Sequence, residues 1–137
     1  MPRIAIMTWL RLARVYQKID RRSIEHLRDF DLSLAQFDVL NHVGAAEGLT
    51  QQELANSLLV TKGNVCQLLE RIERAGLIER RPEGRANRLF LTAAGRQRLT
   101  ETQPAQEALI ERAIAPLNPD EQRTLLDLLR KLDRALV

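Results

Sequence analysis

A single cysteine, Cys66, among 137 residues leaves no partner for an internal disulfide, and the two histidines, His26 and His42, form no cluster at zinc-ligand spacing. Neither a structural metal nor a cofactor is expected. Aromatic residues make up only 4% of the chain and glycine only 6 positions, so a core must be built from Leu, Ile, Val and Ala, a composition that favours helices. No apolar run reaches the roughly 18 residues of a membrane span, and Arg3 and Thr8 interrupt the stretch a signal peptide would need, so no membrane partner and a cytoplasmic location are expected. Also missing are a nucleophile paired with a base, a carboxylate pair and a phosphate-cradling glycine loop, which argues against an enzyme.

What is present suits one domain: 45% hydrophobic and 28% charged residues, with a net charge of +3. That charge is segmental. Residues 1–30 carry a net +4, residues 31–60 a net −4, residues 61–90 a net +3, and the remainder is neutral. An acidic stretch between two basic ones suits a molecule that turns one face toward a polyanion, although a solvated mixture of charges reads the same way at this level.

Apolar residues recur every three or four positions from Ile6 to about Leu27, predicting a long amphipathic helix. Ser33 with Gln36 forms a capping box ahead of a second helix, with Gly44 and Gly48 as stop signals. Thr50 with Glu53 starts a third, and Thr61 is a suitable N-cap for a fourth that carries Val65, Leu68, Leu69 and Ile72 on one stripe and ends at Gly76. Two short helices joined by a tight turn make a helix-turn-helix. The segments "LIERR" and "NRLFL" then alternate as strands around a charged tip of residues 82–86. After Thr92 the chain turns helical again to about Leu117, with Pro104 as a kink or an interruption. Asn118, Pro119 and Glu121 open a leucine-rich last helix that carries Leu125, Leu126, Leu128, Leu129, Leu132 and Leu136 as its stripe.

The expected fold class is mostly α with a small β-hairpin wing: a winged helix-turn-helix over residues 33–99, and terminal helices over 1–32 and 100–137 forming a dimerisation region within one compact chain. The leucine stripe and the long first helix exceed what so small a central module can cover, so a homodimer is expected, with packing of the two terminal helices on each other inside one chain as the alternative.

In a winged helix the second helix of the helix-turn-helix fits the major groove of double-stranded DNA, and the wing reaches the adjacent minor groove. Stepping 100° per residue from Thr61 turns Gly63 and Gln67 outward, with Asn64 and Arg71 on one flank and Lys62 and Cys66 on the other. Asn64 and Gln67 can pair with adenine edges, Lys62 and Arg71 can reach guanine or phosphate, and Gly63 permits close backbone approach. Thr50, Gln51 and Thr61, at helix starts, can bind phosphate or serve only as caps. Arg85 at the hairpin tip, with Arg88 behind it, is the expected minor-groove contact, and Glu83 can pair with either arginine.

The run "LTQQELANSLLVTKGNVCQLLERIERAGLIERR" followed by "EGRANRLFLTAAGR" resembles the MarR family of winged-helix transcription factors over most of the chain. The family's wing pattern of Asp-x-Arg, closing with Leu-Thr and then Gly, falls on Glu83, Gly84, Arg85, Leu91, Thr92 and Gly95, with Glu in place of Asp and Gly84 where a second arginine is common. On the fourth helix, Gln67 stands where Arg is frequent and Cys66 where Thr is. The resemblance implies a dimer built from both chain ends, two DNA-binding lobes, a pseudo-palindromic operator, and in many members repression relieved by a small-molecule effector.

Two other readings are open. The same hairpin or leucine-rich ends can serve a protein-interaction module without sequence-specific DNA contact, and Cys66 near a helix start can serve a thiol-sensing DNA-binding regulator. A small, partly buried packing role is the simpler expectation for Cys66. Met7, Trp9 and Tyr16 read as core residues or, less simply, as the lining of an effector cavity, and His26 and His42 as core, surface or pocket residues.

Overall fold

The computed structural model describes residues 2–58 and 62–136, with backbone alone at residues 2, 62 and 63. In chain order the elements are α1 (Pro2–Arg28), α2 (Leu34–Ala45), α3 (Gln51–Ser57), α4 (Lys62–Arg74), β1 (Ile78–Glu83), β2 (Ala86–Leu91), α5 (Ala93–Ile114) and α6 (Pro119–Ala135). Among the described residues, six helices with one antiparallel hairpin give the mostly helical winged architecture expected from the sequence.

The start signals act as read. Ser33, Thr50 and Asn118 each close a capping box with the residue three positions on, and Thr92 caps α5 through Gly95 N–H. The expected cap at Thr61 lies outside the described residues. Two helices end in the same way. After α4, Leu77 N–H donates to Ile72 C=O and Gly76 N–H to Glu73 C=O, with Gly76 at φ +78°. After α1, Leu32 N–H donates to Leu27 C=O and Asp31 N–H to Arg28 C=O, with Asp31 taking the left-handed conformation at φ +55°. In both, the residue that follows the turn is buried in the core.

That core lies under α2, α3, α4 and the hairpin. Leu40 and Val43 of α2, Leu54 of α3, Leu69 and Ile72 of α4, and Leu89 of β2 are fully buried, each worth about 1.5–3 kcal/mol of transfer free energy. Polar pins tie α5 to the rest. Gln106 Nε2 donates to Ser23 Oγ at 2.6 Å, His26 Nδ1 donates to Gln106 Oε1 at 3.1 Å, and Gln103 Nε2 donates to Asn41 Oδ1 at 2.7 Å. His26 is thus a half-buried α1–α5 pin, and His42 donates to the Asp38 carbonyl of its own helix.

Several expectations change. Gly44 does not stop α2 but lies inside it, where a Cβ would stand 2.7 Å from Leu99 Cδ2; its lack of a side chain lets α5 approach. The hairpin tip is Gly84-Arg85 rather than five residues, because Gly84 at φ +62° permits a two-residue turn of the primed type that matches strand twist. Pro104 does not interrupt α5; it is exposed, and the buried face of Leu99, Thr102 and Gln106 holds the helix together around it. Met7 and Trp9 are 64% and 63% exposed and Tyr16 is also exposed, so none of the three is core within one chain. Nor do the terminal helices cover each other: α6 has no buried residue, and Leu126, Leu128 and Leu132 face solvent together with Ile4, Ile6 and Leu10 of α1.

Asp38 of α2 is half-buried, and burial raises its carboxyl pKa, opposed by nearby His42 and reinforced by Asp20 of α1. A carboxyl with a folded-state pKa above its unfolded value favours the fold fully only below the unfolded value, and that contribution is lost as pH rises through the folded one. Asp38→Asn is therefore expected to raise the urea midpoint at neutral pH, the gain fading as acid protonates the parent carboxyl. A lower midpoint for the variant at neutral pH would contradict this reading.

Candidate nucleic-acid interface

The fourth helix and the wing enclose a cleft of about 760 Å³ lined from α3 by Thr50, Gln51, Gln52 and Ala55, from α4 by Val65 and Cys66, and from the hairpin by Glu83, Arg85, Ala86 and Asn87. Along α4, Val65, Leu69 and Ile72 point into the core, which turns the opposite stripe to solvent. Asn64, Gln67 and Arg71, spaced three and four residues apart, share one exposed face. Lys62 and Gly63 fall in the first turn of α4, and Thr61 precedes it outside the described residues.

Three of the hairpin arginines are spent on carboxylates. Arg80 Nη2 binds Glu73 Oε1 at 2.8 Å and holds that carboxyl below its ordinary pKa, against the opposing effect of burial. Arg81 pairs with Glu79 and lies 4.0 Å over the Phe90 ring. Arg88 pairs with Glu83 and donates from Nη1 to the Gly48 carbonyl at 2.8 Å. Arg85, at the tip, is exposed and has no hydrogen bond or ion pair among the described residues. Its charge is held forward by a turn.

Thr50 serves as a cap: its hydroxyl accepts from Glu53 N–H and donates to Glu53 Oε1. Gln51 is half-buried and donates from Nε2 to Cys66 Sγ at 3.3 Å. Cys66 is exposed, not the partly buried packing residue expected from its sequence setting. Gln52 and Asn87 line the cleft without having been singled out. For Asn87 a signal existed: the alternation that buries Leu89 and Leu91 places Asn87 on the same hairpin face, two residues beyond the end of the core. No group of three or more His, Cys, Asp or Glu among the described residues could hold a metal ion, and no described helix is long and apolar enough to cross a membrane.

An exposed polar helix face beside an arginine-tipped hairpin, on a helix-turn-helix scaffold, defines a winged-helix DNA-binding transcriptional regulator. A MarR family model matches residues 30–89. The chain is 36% identical over 132 residues to an uncharacterised HTH-type transcriptional regulator of Bacillus cereus, an alignment spanning 96% of this chain and 90% of the relative. A cysteine-to-serine mutant of MarR from Escherichia coli, crystallised with operator DNA, superposes with a TM-score of 0.82 at 32% identity, over 93% of this chain and 95% of that one. A MarR family protein of Mycobacterium tuberculosis in complex with salicylic acid superposes with a TM-score of 0.70 at 29% identity, over 88% and 92% of the two chains. The chain belongs to the MarR family.

Proposed function

We propose that this protein is a homodimeric, sequence-specific repressor that places one α4 per subunit in successive major grooves of a pseudo-palindromic operator. The observation that carries the reading is Arg85, unpaired among the described residues, at the tip of a hairpin whose other arginines are engaged, beside the exposed Asn64–Gln67–Arg71 stripe. In this reading Asn64 and Gln67 contact base edges, Arg71 contacts guanine or phosphate, and Arg85 enters the minor groove. Thr50 and Gln51, together with Thr61, Lys62 and Gly63 by sequence position, set the register on the phosphate backbone. Half-sites then lie about 10 bp apart, one helical turn.

The dimerisation region comprises residues 1–32 and 100–137, the DNA-binding region residues 33–99, and α5 runs through both. The exposed apolar faces of α1 and α6 support the assembly. Relief of repression by a small molecule is supported by the salicylic acid complex of the mycobacterial relative. An effector acts by binding better to a dimer whose lobes are spaced wrongly for DNA, since only differential affinity shifts such an equilibrium.

The test is selection of bound sequences from random duplex DNA, followed by titration of the selected site over a salt series. Affinity is expected to fall steeply with salt. Arg85→Ala is expected to weaken all sequences and to lower the salt slope by about 1, whereas Asn64→Ala or Gln67→Ala costs about 1–3 kcal/mol at particular base pairs only. Full operator binding by Arg85→Ala would remove the wing from the interface.

A further inference from the structure

Arg88 occupies a place where three parts of the chain meet. Gly48 N–H donates to Leu89 C=O at 2.8 Å and Leu89 N–H donates to Leu49 C=O at 2.9 Å, so the link between α2 and α3 lies along β2, with Thr50 bridged to Arg88. The Arg88 guanidinium spans this junction. Nη1 donates to the Gly48 carbonyl, and Nε donates to the Glu83 carboxylate at the end of β1. Glu83 immediately precedes the Gly84-Arg85 tip, and Thr50 immediately precedes α3. One side chain therefore connects the last fixed residue of the wing to the chain that enters the helix-turn-helix.

We propose that Arg88 is a positioning residue that fixes the Arg85 tip relative to α3 and α4, rather than a residue that touches DNA. The planar guanidinium suits this place because it donates in two directions at once, to a carbonyl and to a carboxylate, which an ammonium on a flexible stem does not reproduce in one geometry. Both acceptors belong to this chain: the Gly48 carbonyl lies at a part-buried contact and the Glu83 carboxylate is exposed. The competing arrangement is that Glu83 merely holds Arg88 until a phosphate displaces it. The proposal rests on the wing reading above, and Arg85→Ala measured in parallel separates failure of that reading from failure of this one.

The experiment is a double-mutant cycle of Arg88→Ala and Glu83→Gln in the full chain, read by titration of duplex DNA over a salt series and by amide hydrogen exchange of the free protein. As a positioning residue, Arg88→Ala weakens binding about tenfold by way of Arg85, so the loss largely disappears in the Arg85→Ala background, and it is smaller in the Glu83→Gln background because the brace is already broken. Arg88→Lys, which keeps the charge, does not restore affinity. Exchange at Gly48 and Leu89 quickens without DNA present, as the junction opens locally.

Four results would each overturn the proposal: an Arg88→Ala loss undiminished in the Arg85→Ala background, rescue by Arg88→Lys, a larger Arg88→Ala loss in the Glu83→Gln background, or unchanged exchange at Gly48 and Leu89. The third is the signature of a guanidinium freed to bind phosphate. Quickened exchange with unaltered DNA affinity also overturns it, by showing a brace that the tip does not need. If Arg85→Ala itself leaves binding intact, the wing reading has failed, and the exchange measurement still decides whether the brace exists.

Discussion

Gly95→Ala is expected to destabilise the protein by about 3 kcal/mol or more, enough to remove much of the stability of a domain this size. A Cβ at that position would stand 1.9 Å from the Leu77 carbonyl oxygen and 2.9 Å from its carbon. Backbone cannot swing aside as a side-chain terminus can. The same carbonyl accepts the Thr92 N–H at 3.1 Å, and Thr92 Oγ1 donates to the Gly76 carbonyl at 2.6 Å while accepting the Gly95 N–H. Any shift that relieves the clash therefore pulls on the cap of α5 and on the turn that ends α4.

Gly44→Ala is the internal comparison. Its new methyl would meet the flexible end of Leu99 rather than a carbonyl, so the cost is expected to be smaller, about 1–2 kcal/mol. Urea denaturation of both variants checks the order. A Gly95→Ala loss no greater than that of Gly44→Ala would show that the approach of α5 to Leu77 is softer than its geometry implies.

The two glycines also mark the boundary of what the sequence makes legible. Signals that act within four or five residues are readable: the Ser33, Thr50 and Asn118 capping boxes, the turn at Gly76, and the period that points Val65, Leu69 and Ile72 inward. Each depends on hydrogen bonds or side-chain directions local to one element. Gly44 looks like a helix stop from its neighbours alone, and only Leu99, far along the chain, reveals it as a packing gap. Arg88 reads as a wing cation within reach of Glu83, and only the distant Gly48 carbonyl shows its second engagement. Cys66 stands on a flank of α4 by periodicity, a place that leaves packing and exposure both open, and in the fold it is exposed.

The candidate site divides along the same line. The outward position of Asn64, Gln67 and Arg71 follows from α4 periodicity, and the forward position of Arg85 from turn chemistry at Gly84. Which arginine is left unpaired does not follow from either. Arg80, Arg81, Arg85 and Arg88 are alike in sequence, each with a glutamate nearby, and their separation into three engaged and one free among the described residues requires the strand register and the packing of α4 on β1.

Introducing charge into the α6 stripe should have the larger consequence for DNA binding. In Leu128→Asp combined with Leu132→Asp, two carboxylates replace side chains that are 56% and 52% exposed in the single chain, and the fold of the DNA-binding lobe does not depend on either. Circular dichroism and the urea transition of that lobe are expected to stay close to those of the parent. If these leucines are covered by a second copy, burying two unpaired carboxylates there opposes association by several kcal/mol, and light scattering should show monomers where the parent is dimeric. Each lobe then meets its half-site alone. Losing the tether between the two contacts is expected to weaken operator binding by about 10²–10⁴-fold, without any change to α4 or the wing, because the second half-site contact is no longer intramolecular. A variant that stays dimeric would place the interface elsewhere on the chain. A monomeric variant with parental operator affinity would mean that a single lobe supplies the binding energy, and the two-site geometry would have to be abandoned even with every contact of Arg85 and Gln67 intact.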